Sequence, residues 1–323
     1  MAFYLSLICG VAWAWLTGFV PQDVPFYEHI LYSLLAIGLY GSVYGINIAE
    51  FKEYRIIVLK AVTFGVALKG IFIGTILWFV MDTPLAFLLG MIVAQIDPLS
   101  VSYLVDKKGS QFSSAGRTVL RAWSSFDDPM TVLLALYLFL PFALGTAFDL
   151  GTYATQLGYN ILFALVFLVA RRFIPAWMLI ISAFIVAIPF QLMLGIALCG
   201  LFIRPSLDTV LPKLITAAYL CAAVVLGMLV VFDLELLSLG ILLGVAAFVS
   251  QIVATRLVAG ELPRSDRMFL SVAQYNGITS VILALVVGAM FSEVVTIVAM
   301  AVITINTIYF FANQYVEKRT RQV

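Results

Sequence analysis

Three carboxylates stand in apolar surroundings in this chain: Asp97 in GMIVAQIDPLSVSY, and Asp127 and Asp128 in RTVLRAWSSFDDPMTVLL. One basic residue, Lys69, shares such a setting in KAVTFGVALKGIFIG. An ionisable group in the middle of a bilayer is costly unless it is paired or hydrated, so each of the four is a candidate for function. Ser124 lies four residues before Asp128 and shares its helical face. A serine hydroxyl with carboxylates is a hard-oxygen set, suited to Na⁺ or a similar cation and not to soft metals. Adjacent helical residues point ~100° apart. Asp127 and Asp128 therefore cannot both face one ligand squarely: one faces the ion and the other a neighbouring helix.

Pro98 removes a backbone donor and discourages helix at Asp97. Irregular backbone at membrane depth is tolerated only where it is enclosed by protein or lines a wet cavity. Freed carbonyls near Gln95 and Ile96 then become cation ligands beside the Asp97 charge. The plain alternative is a proline kink. For the aspartate pair, the alternative is a buried structural pair satisfied by Lys69 or by backbone. Lys69 either neutralises Asp127, leaving a net negative site, or snorkels along a cavity wall as a structural residue. A third segment, RMFLSVAQYNGITSVILALVV, carries the breaker Asn276-Gly277 in an apolar run, with Gln274, Thr279 and Ser280 close by. It predicts a second interrupted helix, although polar residues in packed membrane helices can serve only as hydrogen-bond partners.

The elements that must position these groups follow from composition. Of 323 residues, 63% are apolar and 11% charged, against about 25% charged in a soluble domain. Too few polar residues are present to cover a globule of this size, which excludes a cytosolic enzyme, a secreted domain and a disordered chain. Net charge is +1, which gives no reason to expect a nucleic-acid partner. One histidine (His29), three cysteines in apolar stretches (Cys9, Cys199, Cys221) and no metal-ligand spacing argue against a disulfide framework or zinc site, and no cofactor is expected. A span needs about 20 mostly apolar residues. Twelve candidates occur, approximately 3–20, 27–48, 56–80, 84–104, 117–142, 156–170, 175–188, 190–203, 210–232, 236–256, 267–290 and 294–315. The first lacks a basic n-region and a cleavage site, so it reads as a span and not a signal peptide. The seventh and eighth are short and could fuse through Pro189.

The distribution of charge decides between these counts. With twelve spans and both termini cytoplasmic, 17 of the 18 Lys and Arg fall in cytoplasmic loops or margins, and the opposite loops hold none. Fusion at Pro189 would move Arg204 to the acidic side and invert every later loop. Fourteen acids also belong to loops or margins, Glu50, Glu53 and Asp266 among them, which leaves the three named above. Asp128 is eleven residues beyond Arg117, ~16 Å along a helix, and Asp97 is thirteen beyond Pro84, ~20 Å from the opposite face. Both lie near the midplane, as does Lys69. Spans four and eleven run in opposite senses. Two interrupted, antiparallel helices in opposite halves are the pointer to an inverted-repeat secondary transporter with its site at mid-membrane. The chain is thus expected to be a single all-α polytopic membrane domain, without a separate soluble domain before or after the spans.

IDP followed by FDDP and then NGITS resembles the monovalent cation/proton antiporter superfamily, the sodium/proton exchangers. LRAWSSFDDP aligns with that family's LxxESLLNDA pattern. Ser124 takes the family serine, Asp128 the essential aspartate, Asp127 the variable position before it and Asp97 the aspartate of TDP. Gly277, Ser280 and Ala284 match the late segment, and the likeness extends over nearly the whole chain. It implies cation coordination by Asp128, Asp97, Ser124 and a backbone carbonyl near Ile96. It also implies an elevator-like movement of a core subdomain around 56–142 and 236–315, a homodimer built on the remaining spans, and a bacterial or archaeal plasma membrane. Members with DD are typically electrogenic. Here Ile96 replaces the TDP threonine, Trp123 the glutamate before the serine, and Asn276 the basic residue before Gly277. Lys69 is expected to stand in for that missing base.

The function expected is exchange of a monovalent cation, Na⁺, for protons, in which both compete for the Asp128 oxygens and the bare charged site cannot cross. Two nearby carboxylates titrate as one unit. A sodium- or proton-coupled solute symporter is the alternative and should offer a roomy site for an organic solute. An intramembrane aspartyl protease would need two facing aspartates, but the GxGD motif is absent.

Overall fold

The computed structural model describes residues 2–44, 46, 54–108, 112–146 and 149–320, without the side chains of 107–108 and 317–320. Lys52, Glu50, Glu53 and Arg321 lie outside the described residues, as do the side chains of Lys107, Lys108, Glu317, Lys318 and Arg319. The described residues form helices and connecting turns, with no strand among them.

In chain order the helices are α1 (Ala2–Thr17), α2 (Tyr27–Tyr44), α3 (Arg55–Met81), α4 (Leu85–Val93), α5 (Pro98–Lys108), α6 (Ser114–Ala143) and α7 (Leu150–Ala170). They continue as α8 (Ala176–Ala187), α9 (Met193–Phe202), α10 (Leu211–Leu229), α11 (Leu234–Val258), α12 (Arg264–Ser271), α13 (Ile278–Gly288) and α14 (Glu293–Thr320). Every stretch expected to span falls on one helix or on one interrupted pair. Among the described residues, seven are long and apolar enough to cross a membrane by length and composition: α3, α4 with α5, α6, α7, α10, α11 and α14. The segments α1, α8, α9 and α13 are shorter apolar helices. Large apolar side chains point outward on several helices, Trp15 of α1 at 86% and Phe79 of α3 at 78% exposure, as a lipid-facing surface requires.

The expected break near Pro189 is present. α8 ends at Ala187, Gln191 takes a left-handed φ of 55° and Leu192 N–H closes onto the Ala187 carbonyl. The two interruptions are also present: residues 94–97 separate α4 from α5, and 272–277 separate α12 from α13. Helices α3 and α6 each contain a π-helical turn, Ala61–Gly65 and Ala135–Phe139, local irregularities of a kind often found near functional groups.

Packing brings the polar segments together. α4 lies against α3 at Gly90, where a Cβ would meet the Gly70 carbonyl and the Gly74 nitrogen at 2.6 Å. α6 carries Pro129 inside the helix, and Pro129 cannot bond the Ser125 carbonyl. The Ser42 hydroxyl of α2 donates to that carbonyl at 3.3 Å instead. α6 stays helical through Pro129, and its two aspartates stand on adjoining faces.

Candidate functional site

The two interruptions meet at the centre of the bundle. Asp97 N–H donates to the Tyr275 carbonyl at 2.8 Å, which ties one crossing to the other. Carbonyls that the first break would leave bare are covered from the second. Gln274 donates to the Val93 and Gln95 carbonyls at 2.9 Å each, Asn276 to the Val93 carbonyl at 3.1 Å and Ser280 to the Ile92 carbonyl at 2.9 Å. One lone pair of the Gln95 carbonyl, a cation ligand on the sequence reading, is thereby taken by a buried amide. A buried carbonyl without a partner costs free energy, and the polar cluster around Asn276 removes that cost. Asn276 is in turn held by Asn306 of α14, whose Oδ1 accepts from Asn276 N–H at 3.1 Å.

Asp97 ends the first interruption and caps α5. Its Oδ2 accepts from the Ser100 N–H and the Ser100 hydroxyl, both at 2.8 Å, the geometry of an aspartate N-cap followed by proline. The other carboxylate oxygen faces Gly277, where a Cβ would collide with it. Gly277 is needed for this close approach.

Asp127 and Asp128 diverge as adjacent helical residues must. Asp127 turns toward α3, and its Oδ2 meets Lys69 Nζ at 3.1 Å and accepts from Ile96 N–H at 2.9 Å. Both members of this ion pair are fully buried. Lys69 Nζ also lies 5.7 Å from the Trp123 ring centre, within the range of a cation–π contact. Asp128 points the other way. With the Gln95 amide oriented to satisfy both of its ends, its nitrogen donates to Asp128 Oδ1 at 2.8 Å while its oxygen accepts from Ser280. Thr279 lies beside the same carboxyl.

Asp97, Ser124 and Asp128 line one cavity of about 420 Å³, whose outer part carries Asp106, Thr118 and Arg121. The Arg121–Asp106 ion pair at 3.0 Å stands at its partly exposed end. A second space of about 340 Å³ shares Asp97 and is walled by Tyr103, Tyr219, Tyr275 and Tyr309. The structure thus brings two of the three acids to a common cavity and commits the third to Lys69. Among the described residues, no three acidic, histidine or cysteine groups converge closely enough to hold a metal ion together. Asp266, assigned to a loop on sequence grounds, is fully buried on α12. It accepts from the Ser113 N–H at 3.0 Å and the Ser113 hydroxyl at 2.5 Å, at the start of α6.

No protein-family model matches the sequence, and no curated protein does. The fold is that of a sodium/proton antiporter. The chain superposes on the sodium proton antiporter MjNhaP1 from Methanocaldococcus jannaschii with a TM-score of 0.76 at 16% identity, over 97% of this chain and 92% of that one. Together with its long apolar helices, this makes the chain an integral membrane protein of the antiporter fold.

Proposed function

We propose that the protein exchanges a monovalent cation, Na⁺, for protons by alternating access. The observation that carries the reading is the pairing of Asp97 and Asp128 on one cavity, where two interrupted helices cross in an antiporter-like fold. The similar solved protein is described as a sodium proton antiporter, which supports the same cargo here.

Asp128 is the shared site. A cation entering the cavity meets the Asp97 and Asp128 carboxylates and the Ser124 oxygen. A proton on Asp128 removes one of those ligands, and a bound cation displaces the proton. Occupancy is therefore exclusive. The bare doubly charged site does not cross, because unpaired charge in a low-dielectric interior is costly. Lys69 neutralises Asp127 and keeps that negative charge from adding to the cavity. Asp127, Gln95 and Ile96 act as positioning groups: Ile96 N–H anchors the Asp127 carboxylate, and Gln95 orients Asp128.

Several residues placed on the cytoplasmic side by the positive-inside pattern contact one another: Lys60 with Glu261, Arg121 with Asp106, and Ser113 with Asp266. This supports cytoplasmic termini and a cavity open to the cytoplasm in this conformation. Segments around 56–142 and 236–315 form the moving core, and the other helices form the scaffold and a homodimer contact. The protein acts as a transporter and needs no cofactor besides its transported ions.

Reconstitution into liposomes tests the proposal. Na⁺-dependent proton movement is expected in the unsubstituted chain, and Asp128→Asn is expected to abolish it without unfolding the protein. Full activity in Asp128→Asn would remove Asp128 from the mechanism.

A further inference from the structure

We infer that the Thr279 hydroxyl is a ligand of the transported cation, in the place where the first crossing offers none. The inference rests on the exchange reading above. A cation entering a buried site must trade water oxygens for protein oxygens. The residue before Asp97 is Ile96, which has only an aliphatic side chain to offer. Two hydroxyls close to the crossing already donate within the protein. Ser100 donates to Asp97 Oδ2 at 2.8 Å, and Ser280 donates to the Ile92 carbonyl and meets the Asn276 amide.

Thr279 differs from both. It is the second residue of α13 and only 1% exposed. Its Oγ1 lies beside the Asp128 carboxyl and has no other partner in the protein. Buried polar groups are normally satisfied, and one that is not calls for an unseen water or ion. Its location is tightly held, because Gly277, directly ahead of α13, packs onto the Asp97 carboxylate. Ser124 faces the cavity that Asp97 and Asp128 line, from α6, and its hydroxyl donates to the Arg121 carbonyl at 3.1 Å. That leaves the lone pairs of its oxygen available. Asp97, Ser124, Asp128 and Thr279 then supply hard oxygens from three separate segments. When Asp128 is protonated, the same Thr279 oxygen can accept its hydrogen bond, so the residue serves both occupied states.

The experiment compares Thr279→Val, which keeps the shape and deletes the oxygen, with Thr279→Ser, which keeps the oxygen. Proton flux driven by Na⁺, Li⁺ and K⁺ is measured in liposomes, and the upward melting shift given by Na⁺ is measured in detergent. Thr279→Val should raise the half-saturating Na⁺ concentration by about tenfold, the factor given by ~1.4 kcal/mol of lost ligand energy. Its maximal rate should be nearly preserved, and its Na⁺-dependent melting shift should shrink. Thr279→Ser should stay close to the unsubstituted chain in both measures. An unchanged half-saturation in Thr279→Val would overturn the assignment, as would a lost maximal rate with the melting shift intact. If the unsubstituted chain showed no cation-dependent proton flux, the exchange reading itself would fall, an outcome distinct from either of these.

Discussion

The Lys69–Asp127 pair defines the site at the scale of single residues. Both side chains are fully buried, and Lys69 reaches across from α3 to the helix that carries Asp128. A buried pair of this kind contributes little net stability, but removing one partner leaves an uncompensated charge. Lys69→Met alone should therefore destabilise the protein by about 3–5 kcal/mol, read as a lower melting temperature in detergent. Asp127→Asn in the same chain should restore much of the loss, since an asparagine oxygen can still accept from Ile96 N–H. A Lys69→Met single variant as stable as the parent would show that Asp127 is held by other groups. The same variant tests whether Lys69 replaces the basic residue absent at Asn276. Exchange rate and pH dependence both untouched by its loss would end that idea.

Asp266 matters at the scale of elements. Its carboxylate bridges from α12 to the first turn of α6 through Ser113, the N-cap whose hydroxyl also accepts from Gly116 N–H at 3.0 Å. Gly116 leaves room for it, since a Cβ there would press on the carboxylate at 2.5–2.8 Å. The contact links the helix bearing Asp128 to the second interrupted helix, well away from the cavity floor. Asp266→Ala strips the half-buried Ser113 donors of their acceptor, a change that costs about 1 kcal/mol. The expected result is a lower melting temperature with the half-saturating Na⁺ concentration unchanged. A large change in Na⁺ affinity at unaltered stability would instead make Asp266 part of the transport site.

Competition sets the behaviour of the whole molecule. If Na⁺ and H⁺ share the Asp128 oxygens, acidifying the cation side must raise the apparent KM for Na⁺ without changing the maximal rate. The limit is about tenfold per pH unit once the protonated form dominates, by mass action. As pH rises the protonated fraction disappears and KM levels off. Initial rates across pH and Na⁺ concentration distinguish this from a separate proton site, where acid would lower the maximal rate at saturating Na⁺. The cavity that joins the partly exposed Arg121–Asp106 end to Asp128 gives both ions one route from one side.

The architecture was legible because apolar length, charge sidedness and breakers are local properties. Pro98 and Asn276-Gly277 break helices wherever they stand, and the structure breaks at both. The angular offset of Asp127 and Asp128 likewise follows from helical geometry alone. Ser100 could have been read as the partner of Asp97 from the cap-plus-proline pattern DPLS. Asn306 carried no such signal, because a single amide in an apolar helix looks alike whether or not it meets another break. The burial of Asp266 could not be read from its place at a loop margin, because only the fold brings Ser113 over it. The destination of each freed carbonyl, the choice of Asp127 as the partner of Lys69 and the isolation of the Thr279 hydroxyl were decided by tertiary structure. Each depends on groups 58 to 188 positions apart in the chain, and side-chain spacing along one helix does not determine which distant group will face it after packing.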